Sequence, residues 1–181
     1  MPTATALAIG QTAPNFTLNS QTNQPITLAA FRGQWVVVFF YPKDQTPGCT
    51  QQACQLRDKL TQWEKQLPEQ YPGTRVQVLG ISGDSVASHQ AFADKYKLTY
   101  PLLADEGNRV RTLWGVPKTM GMLPGRVTYL LDPQGMVREL FNSQMDIAGH
   151  IAAMDAALTQ ALSNPTTVSK LKTSAAEHTQ P

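Results

Sequence analysis

Seven consecutive residues, Trp35-Val-Val-Val-Phe-Phe-Tyr41, are apolar, β-branched or aromatic without a polar break. A strand with one wet face alternates apolar and polar side chains. An unbroken run fits a strand buried on both faces, as in a mainly parallel sheet covered by helices. Directly after it, Pro42-Lys-Asp-Gln-Thr46-Pro47-Gly48-Cys49 ends the run and opens a helix. Leu56, Leu60, Trp63 and Leu67 then fall at i, i+4, i+7 and i+11, and Pro68 is expected to stop the helix. A buried strand feeding a long amphipathic helix commits the chain to an α/β architecture.

The remaining segments agree with that class. Phe16–Leu18 and Ile26–Leu28 flank a polar stretch and predict a small N-terminal hairpin. Arg75–Ile81 reads as a second buried strand. Gly83-Asp84-Ser85 starts a helix carrying Phe92 and Tyr96, Tyr100–Leu103 is a short strand, and Asn108–Leu113 a short helix. Trp114–Gly125 holds two prolines and three glycines and is expected to be an irregular loop. Arg126–Leu131 and Met136–Phe141 flank Asp132-Pro-Gln-Gly135, a turn signal that makes them an antiparallel pair. Asp146 starts a last helix with Ile147, Ile151, Met154, Leu158 and Leu162 along one face. The expected fold is a central mixed sheet flanked by helices, in one domain over 1–162. From Ser163 the composition turns to Ser, Thr, Pro, Lys and Gln, and 163–181 is expected to be a disordered tail.

Composition narrows the function. A net charge of +2 in 181 residues, with no basic run interleaved with aromatics, gives no nucleic-acid surface. No apolar stretch approaches the roughly 20 residues that span a membrane. The first residues lack the pattern of a signal or transit peptide, so a bacterial cytoplasmic location is expected. Two cysteines and three scattered histidines do not make a zinc site.

The two cysteines carry the chemistry. With Thr46 as N-cap, Pro47 as N1 and Gly48 as N2, Cys49 is N3. It lies among unpaired N–H groups at the positive end of the helix dipole, conditions that favour a thiolate. A lone cysteine is usually a small buried hydrophobe. The strand-to-helix junction argues instead for a functional one, since sites in α/β sheets gather at strand ends. Cys54 lies five positions on. In an intact helix that is a rise of ~7.5 Å and a turn of about 140°, which leaves the Cα atoms roughly 8–9 Å apart. A disulfide needs less than about 7 Å. The thiols therefore cannot bond unless the first turn opens. Gly48 and the Gln51-Gln52 pair offer that turn no strong packing, so it is expected to open cheaply.

Pro42-x-x-x-Thr46-x-x-Cys49 resembles the active-site signature of the peroxiredoxins. Cys54 five residues later resembles the PrxQ, or bacterioferritin comigratory protein, subfamily in its cyanobacterial and plastid forms. The likeness continues through Gly80-Ile-Ser-Gly-Asp84, Phe92-Ala-x-Lys-Tyr-x-Leu98, Leu103-Ala-Asp-Glu-Gly107, Trp114-Gly-Val-Pro117 and Leu123–Asp132, and covers about residues 8–161. It implies a thioredoxin-like fold and a thiol peroxidase acting on hydrogen peroxide and alkyl hydroperoxides. Cys49 would attack the peroxide and become a sulfenic acid. Cys54 would resolve it as an intramolecular disulfide, and thioredoxin or a similar dithiol would reduce that bond. Thr46 would hold the peroxide, Pro42 would cover the pocket, and Arg126 would stabilise the thiolate and the leaving oxygen. The resemblance also implies no metal or organic cofactor and a monomer.

Several of these residues have ordinary readings beside the functional ones. An arginine at a strand start is usually solvated, and only the family motif lifts Arg126. Phe40 and Tyr41 are expected to line the pocket, although strand aromatics are usually core. For Trp114 and His89, packing and a solvated helix face are the expected roles. The rival functions are a thioredoxin-like oxidoreductase, disfavoured because four residues separate the cysteines, a redox sensor that relays its disulfide state, and a scaffold with structural cysteines.

Overall fold

The computed structural model describes residues 5–164. The continuous apolar run becomes β3 (Trp35–Phe40), every residue of which is buried. It is an interior strand of a seven-stranded mixed sheet with β1 (Thr17–Ser20), β2 (Pro25–Thr27), β4 (Val76–Ser82), β5 (Leu102–Ala104), β8 (Val127–Leu131) and β9 (Val137–Asn142). The order is β2-β1-β5-β4-β3-β8-β9. β3, β4 and β5 are parallel, while β8 runs antiparallel to β3 and β9 to β8. The N-terminal hairpin joins through β1 against β5.

Strand alternation sorts β3 into two layers. Trp35, Val37, Phe39 and Tyr41 pack with α1 (Pro47–Gln70), α2 (Val86–Tyr96) and α4 (Ile147–Ser163). Val36, Val38 and Phe40 face the other layer, formed by Leu7, Phe16, Leu28, Trp114 and Tyr129. Helices thus cover one face fully. The other takes the N-terminal segment and the short α3 (Arg109–Leu113).

Three expectations change. α1 runs past Pro68 to Gln70. A proline in the last turn lacks only its own N–H, and its fixed φ is itself helical. The helix ends at Tyr71, whose N–H still donates to Leu67 O at 2.6 Å. The loop after Trp114 contains a miniature hairpin, β6 (Lys118–Thr119) against β7 (Leu123–Pro124), turned by Met120 and Gly121 at positive φ. Ser163 belongs to α4, and the rest of the expected tail, from 165, lies outside the described residues.

Helix starts follow the sequence closely. Ser85 Oγ accepts from Ser88 N, and Asp146 Oδ1 from Gly149 N. Along α1, Leu56, Leu60, Trp63 and Leu67 are buried, and Trp63 Nε1 donates to Asp155 Oδ1 of α4 at 2.9 Å. The chain enters α1 from the carboxyl end of β3, where the site lies.

Candidate active site

The loop from β3 to α1 delivers Cys49 to the floor of the site. Pro47 is N1 of the helix and Cys49 is N3, as the sequence implies, and Cys49 is 1% exposed. Thr46 occupies the N-cap position with extended dihedrals, but its hydroxyl does not cap the helix. It turns back and donates to Lys43 O at 3.0 Å. The first-turn N–H groups therefore take no side-chain acceptor, and the positive end of the dipole stays directed at the thiol. With its hydrogen committed to Lys43, the Thr46 oxygen keeps lone pairs to accept from an incoming O–H.

Arg126, immediately before β8, is 3% exposed, not solvated. Its Nη2 donates to Cys49 Sγ at 3.4 Å, its Nη1 to Gln52 Oε1 at 2.7 Å and its Nε to Gln144 O at 3.2 Å. Three acceptors in three directions fix the fork. Gly48 allows the approach, since a Cβ there would lie 3.2 Å from Arg126 Nη2.

Gln52 is wholly buried, which corrects the expectation of a loosely held first turn. It stands at i+3 from Cys49, on the same helix face. Its Nε2 donates to Thr128 Oγ1 at 3.1 Å. Thr128 Oγ1 lies 2.8 Å from His150 Nδ1, and His150 Nε2 lies 2.7 Å from Ser143 O. A carbonyl only accepts, so Nε2 carries the hydrogen and Nδ1 accepts from Thr128. One directed chain thus runs from Ser143 through neutral His150, Thr128 and Gln52 to Arg126 and Cys49.

Burial lowers the His150 pKa from its ordinary value, and the Arg126 charge acts the same way. The unfolded chain therefore takes up a proton near pH ~6.5 that the folded chain refuses. His150 contributes stability that is present above that value and lost as pH falls below it. Melting temperatures measured between about pH 7.5 and 5 should fall less steeply in His150→Gln than in the wild type. Parallel slopes would contradict the assignment.

The 42–46 loop is anchored by Asp44, which is buried. Its carboxylate accepts from Tyr41 Oη at 2.6 Å and Ser88 Oγ at 2.8 Å, and lies 2.8 Å from His89 Nδ1. Burial, then Asp44, raise the Tyr41 phenol well above its ordinary pKa, so it remains a donor. His89 is thus a buried link, not part of a solvated helix face. Tyr41 shares the layer of Cys49, but Phe40 points into the opposite layer and does not line the site. Trp114 packs against Phe16, Phe40 and Tyr129, as expected of a core residue. Pro42 and Thr46 are half-buried on the loop.

Cys54 is a half-buried free thiol on the intact helix, and Cys49 is also free. Next to Cys54, Tyr100 Oη donates to Ala53 O at 2.8 Å. Burial, then the Cys54 charge, hold the Tyr100 phenol well above its usual pKa. Sequence reasoning missed Gln52, Thr128, His150 and Asp44; only the i, i+3 spacing of Cys49 and Gln52 signalled any of them. Among the described residues no His/Cys/Asp/Glu group could hold a metal, and no helix is long and apolar enough to cross a membrane.

Residues 9–140 match the AhpC/TSA family. The chloroplastic peroxiredoxin Q of Sedum lineare is 50% identical over 143 residues, which are 78% of this chain and 73% of that protein. Peroxidoxin BcpB of Mycobacterium tuberculosis superposes with a TM-score of 0.72 at 32% identity, covering 85% of this chain and 97% of that one. The bacterioferritin comigratory protein of Xanthomonas campestris, known for alkyl peroxide reduction activity, gives 0.68 at 31% identity over 80% and 91%. These likenesses bear out the thioredoxin-like fold. Across the plant relatives, the chain spans 62% to 73% of their length. Those relatives are chloroplastic, which overturns the expectation of a bacterial cytoplasm and points to a plastid.

Proposed function

The chain belongs to the AhpC/TSA family, in its peroxiredoxin Q branch, and from that premise we propose that it is a thiol peroxidase in which Cys49 reduces peroxides and Cys54 resolves the product. The observation that carries this reading is the Arg126 guanidinium donating to the buried Cys49 sulfur at the N-terminus of α1.

The Cys49 thiolate attacks the outer oxygen of ROOH. The O–O bond breaks, an S–O bond forms, and RO⁻ leaves as ROH once protonated, with Cys49 oxidised to the sulfenic acid. Thr46 Oγ1 accepts from the peroxide O–H, and Arg126 follows the charge from sulfur to the leaving oxygen. Pro42 shields the sulfenate from water. The Cys54 thiol then displaces hydroxide from the Cys49 sulfur, giving a disulfide and water. A dithiol returns both thiols by exchange and is itself oxidised. Thioredoxin is the reductant we assign, and since both thiols sit on one helix, a monomer completes the cycle. We also assign residues 1–162 to one domain.

The resolving step must open the first turn. Tyr100 holds Ala53 O, and Leu56 and later residues are locked in the core, so opening is confined to 47–53. Gln52 opposes it with two buried hydrogen bonds, one to a charged group, together about 2–4 kcal/mol. Gln52→Ala should therefore lower stability by about 1–3 kcal/mol and speed disulfide formation after a stoichiometric peroxide pulse. A disulfide rate equal to wild type would contradict that lock.

Coupled NADPH oxidation with thioredoxin and its reductase, compared with glutathione and glutaredoxin, tests the whole cycle. Peroxide-dependent turnover with thioredoxin is expected. No turnover with either system would overturn the reading.

A further inference from the structure

A second buried guanidinium bonds the backbone of the two segments that flank the Cys49 site. Arg111, in α3, is 6% exposed. Its Nη2 donates to Tyr41 O at 2.8 Å and its Nη1 to Gly125 O at 2.7 Å. Its plane lies over the Phe40 ring, 5.6 Å from the centroid. Its Nε is buried without a hydrogen-bond partner. The nearby Asp105 carboxylate is committed to the backbone N–H groups of Val110 and Arg111 at 3.0 and 2.9 Å, not to the guanidinium.

Burying a cation without a bonded carboxylate is costly. Burial pushes this guanidinium below its ordinary pKa; Asp105, Tyr129 and Cys49, in that order, act against it. Two backbone carbonyls alone could be bridged by a neutral side chain at lower cost. What distinguishes this bridge is its position. Tyr41 directly precedes Pro42 and leads into the Thr46 loop, and Gly125 directly precedes Arg126. One rigid fork therefore ties together the two backbone segments that carry Thr46 and Arg126 on either side of Cys49.

We propose that Arg111 is a positioning residue for peroxide reduction, fixing the separation between the Thr46 loop and Arg126 across the Cys49 sulfur. The inference rests on the peroxidase reading above. A lysine would keep the charge but not the rigid planar fork that spans the two carbonyls. Loss of the bridge lets Arg126 drift from Cys49, and a misplacement of about 1 Å can cost roughly 100-fold.

The test uses wild type, Arg111→Lys and Arg111→Met with two readouts. The first is the stopped-flow rate of oxidation by hydrogen peroxide. The second is the pH profile of Cys49 alkylation by iodoacetamide in a Cys54→Ser background, which does not depend on peroxidase activity. We expect Arg111→Met to oxidise about 100-fold more slowly and Arg111→Lys about tenfold, each with its alkylation midpoint moved to higher pH. If Arg111→Met does not fold, Arg111→Lys decides. A folded Arg111→Lys within threefold of wild type, or slowed oxidation with an unmoved alkylation profile, overturns the proposal. An inert wild type with normal alkylation would instead refute the peroxidase reading.

Discussion

Cys49→Ser is expected to consume no peroxide with any thiol reductant, while Cys54→Ser consumes about one equivalent and then stalls with thioredoxin. The asymmetry follows from where the two thiols lie. Cys49 is at the uncapped positive end of α1 with the Arg126 guanidinium 3.4 Å away. Cys54 is more than a turn further along, beyond the reach of the dipole and of Arg126. A serine hydroxyl at 49 keeps the geometry but is ionised far too little to attack an O–O bond. A serine at 54 leaves the attack intact and removes the only described thiol that can displace hydroxide from the sulfenate. The Cys54→Ser protein should regain turnover with small thiols such as dithiothreitol, which reach Cys49 directly. Peroxide consumption by titration and by coupled assay measures both effects, and full activity in Cys49→Ser would refute the assignment.

Arg126→Met is the second large effect. It removes the donor aimed at the reacting sulfur from a site where water does not compete, and loss of one such donor typically costs 10²–10³ in rate, about 3–4 kcal/mol. It also leaves Gln52 Oε1 buried without its charged partner, so the first turn should loosen. Arg126→Lys should recover only part of the rate, because an ammonium cannot serve Cys49, Gln52 and the Gln144 carbonyl at once. Stopped-flow oxidation gives the second-order constant, and a value within threefold of wild type in Arg126→Met would contradict the role given to the guanidinium.

The parts of this site that sequence could reveal are those set by local rules. The unalternating run of β3, Pro47 at N1 and the Asp132–Gly135 turn depend on neighbours a few residues away. So does the five-residue separation of the cysteines. What escaped depends on partners far along the chain. Gln52 reads as a solvated polar residue until Arg126 and Thr128, 74 and 76 positions on, bury its amide. His89 and Asp44 are 45 positions apart and Arg111 and Tyr41 70 apart. Thr46 takes the N-cap position that its type and place suggest, but its hydroxyl bonds Lys43 O and not a first-turn N–H. Phe40 was misplaced by one step of strand alternation, which sends it into the layer opposite Cys49.

Activation and resolution are coupled: the helix that activates Cys49 must break for Cys54 to reach it. Hydrogen exchange on the reduced protein, and on the protein after one equivalent of peroxide, tests this directly. Amides over 50–54 should be protected when reduced and exchange freely once the Cys49–Cys54 disulfide has formed, with 58–67 and α4 unchanged. A disulfide that forms while 50–54 stays protected would contradict this coupling.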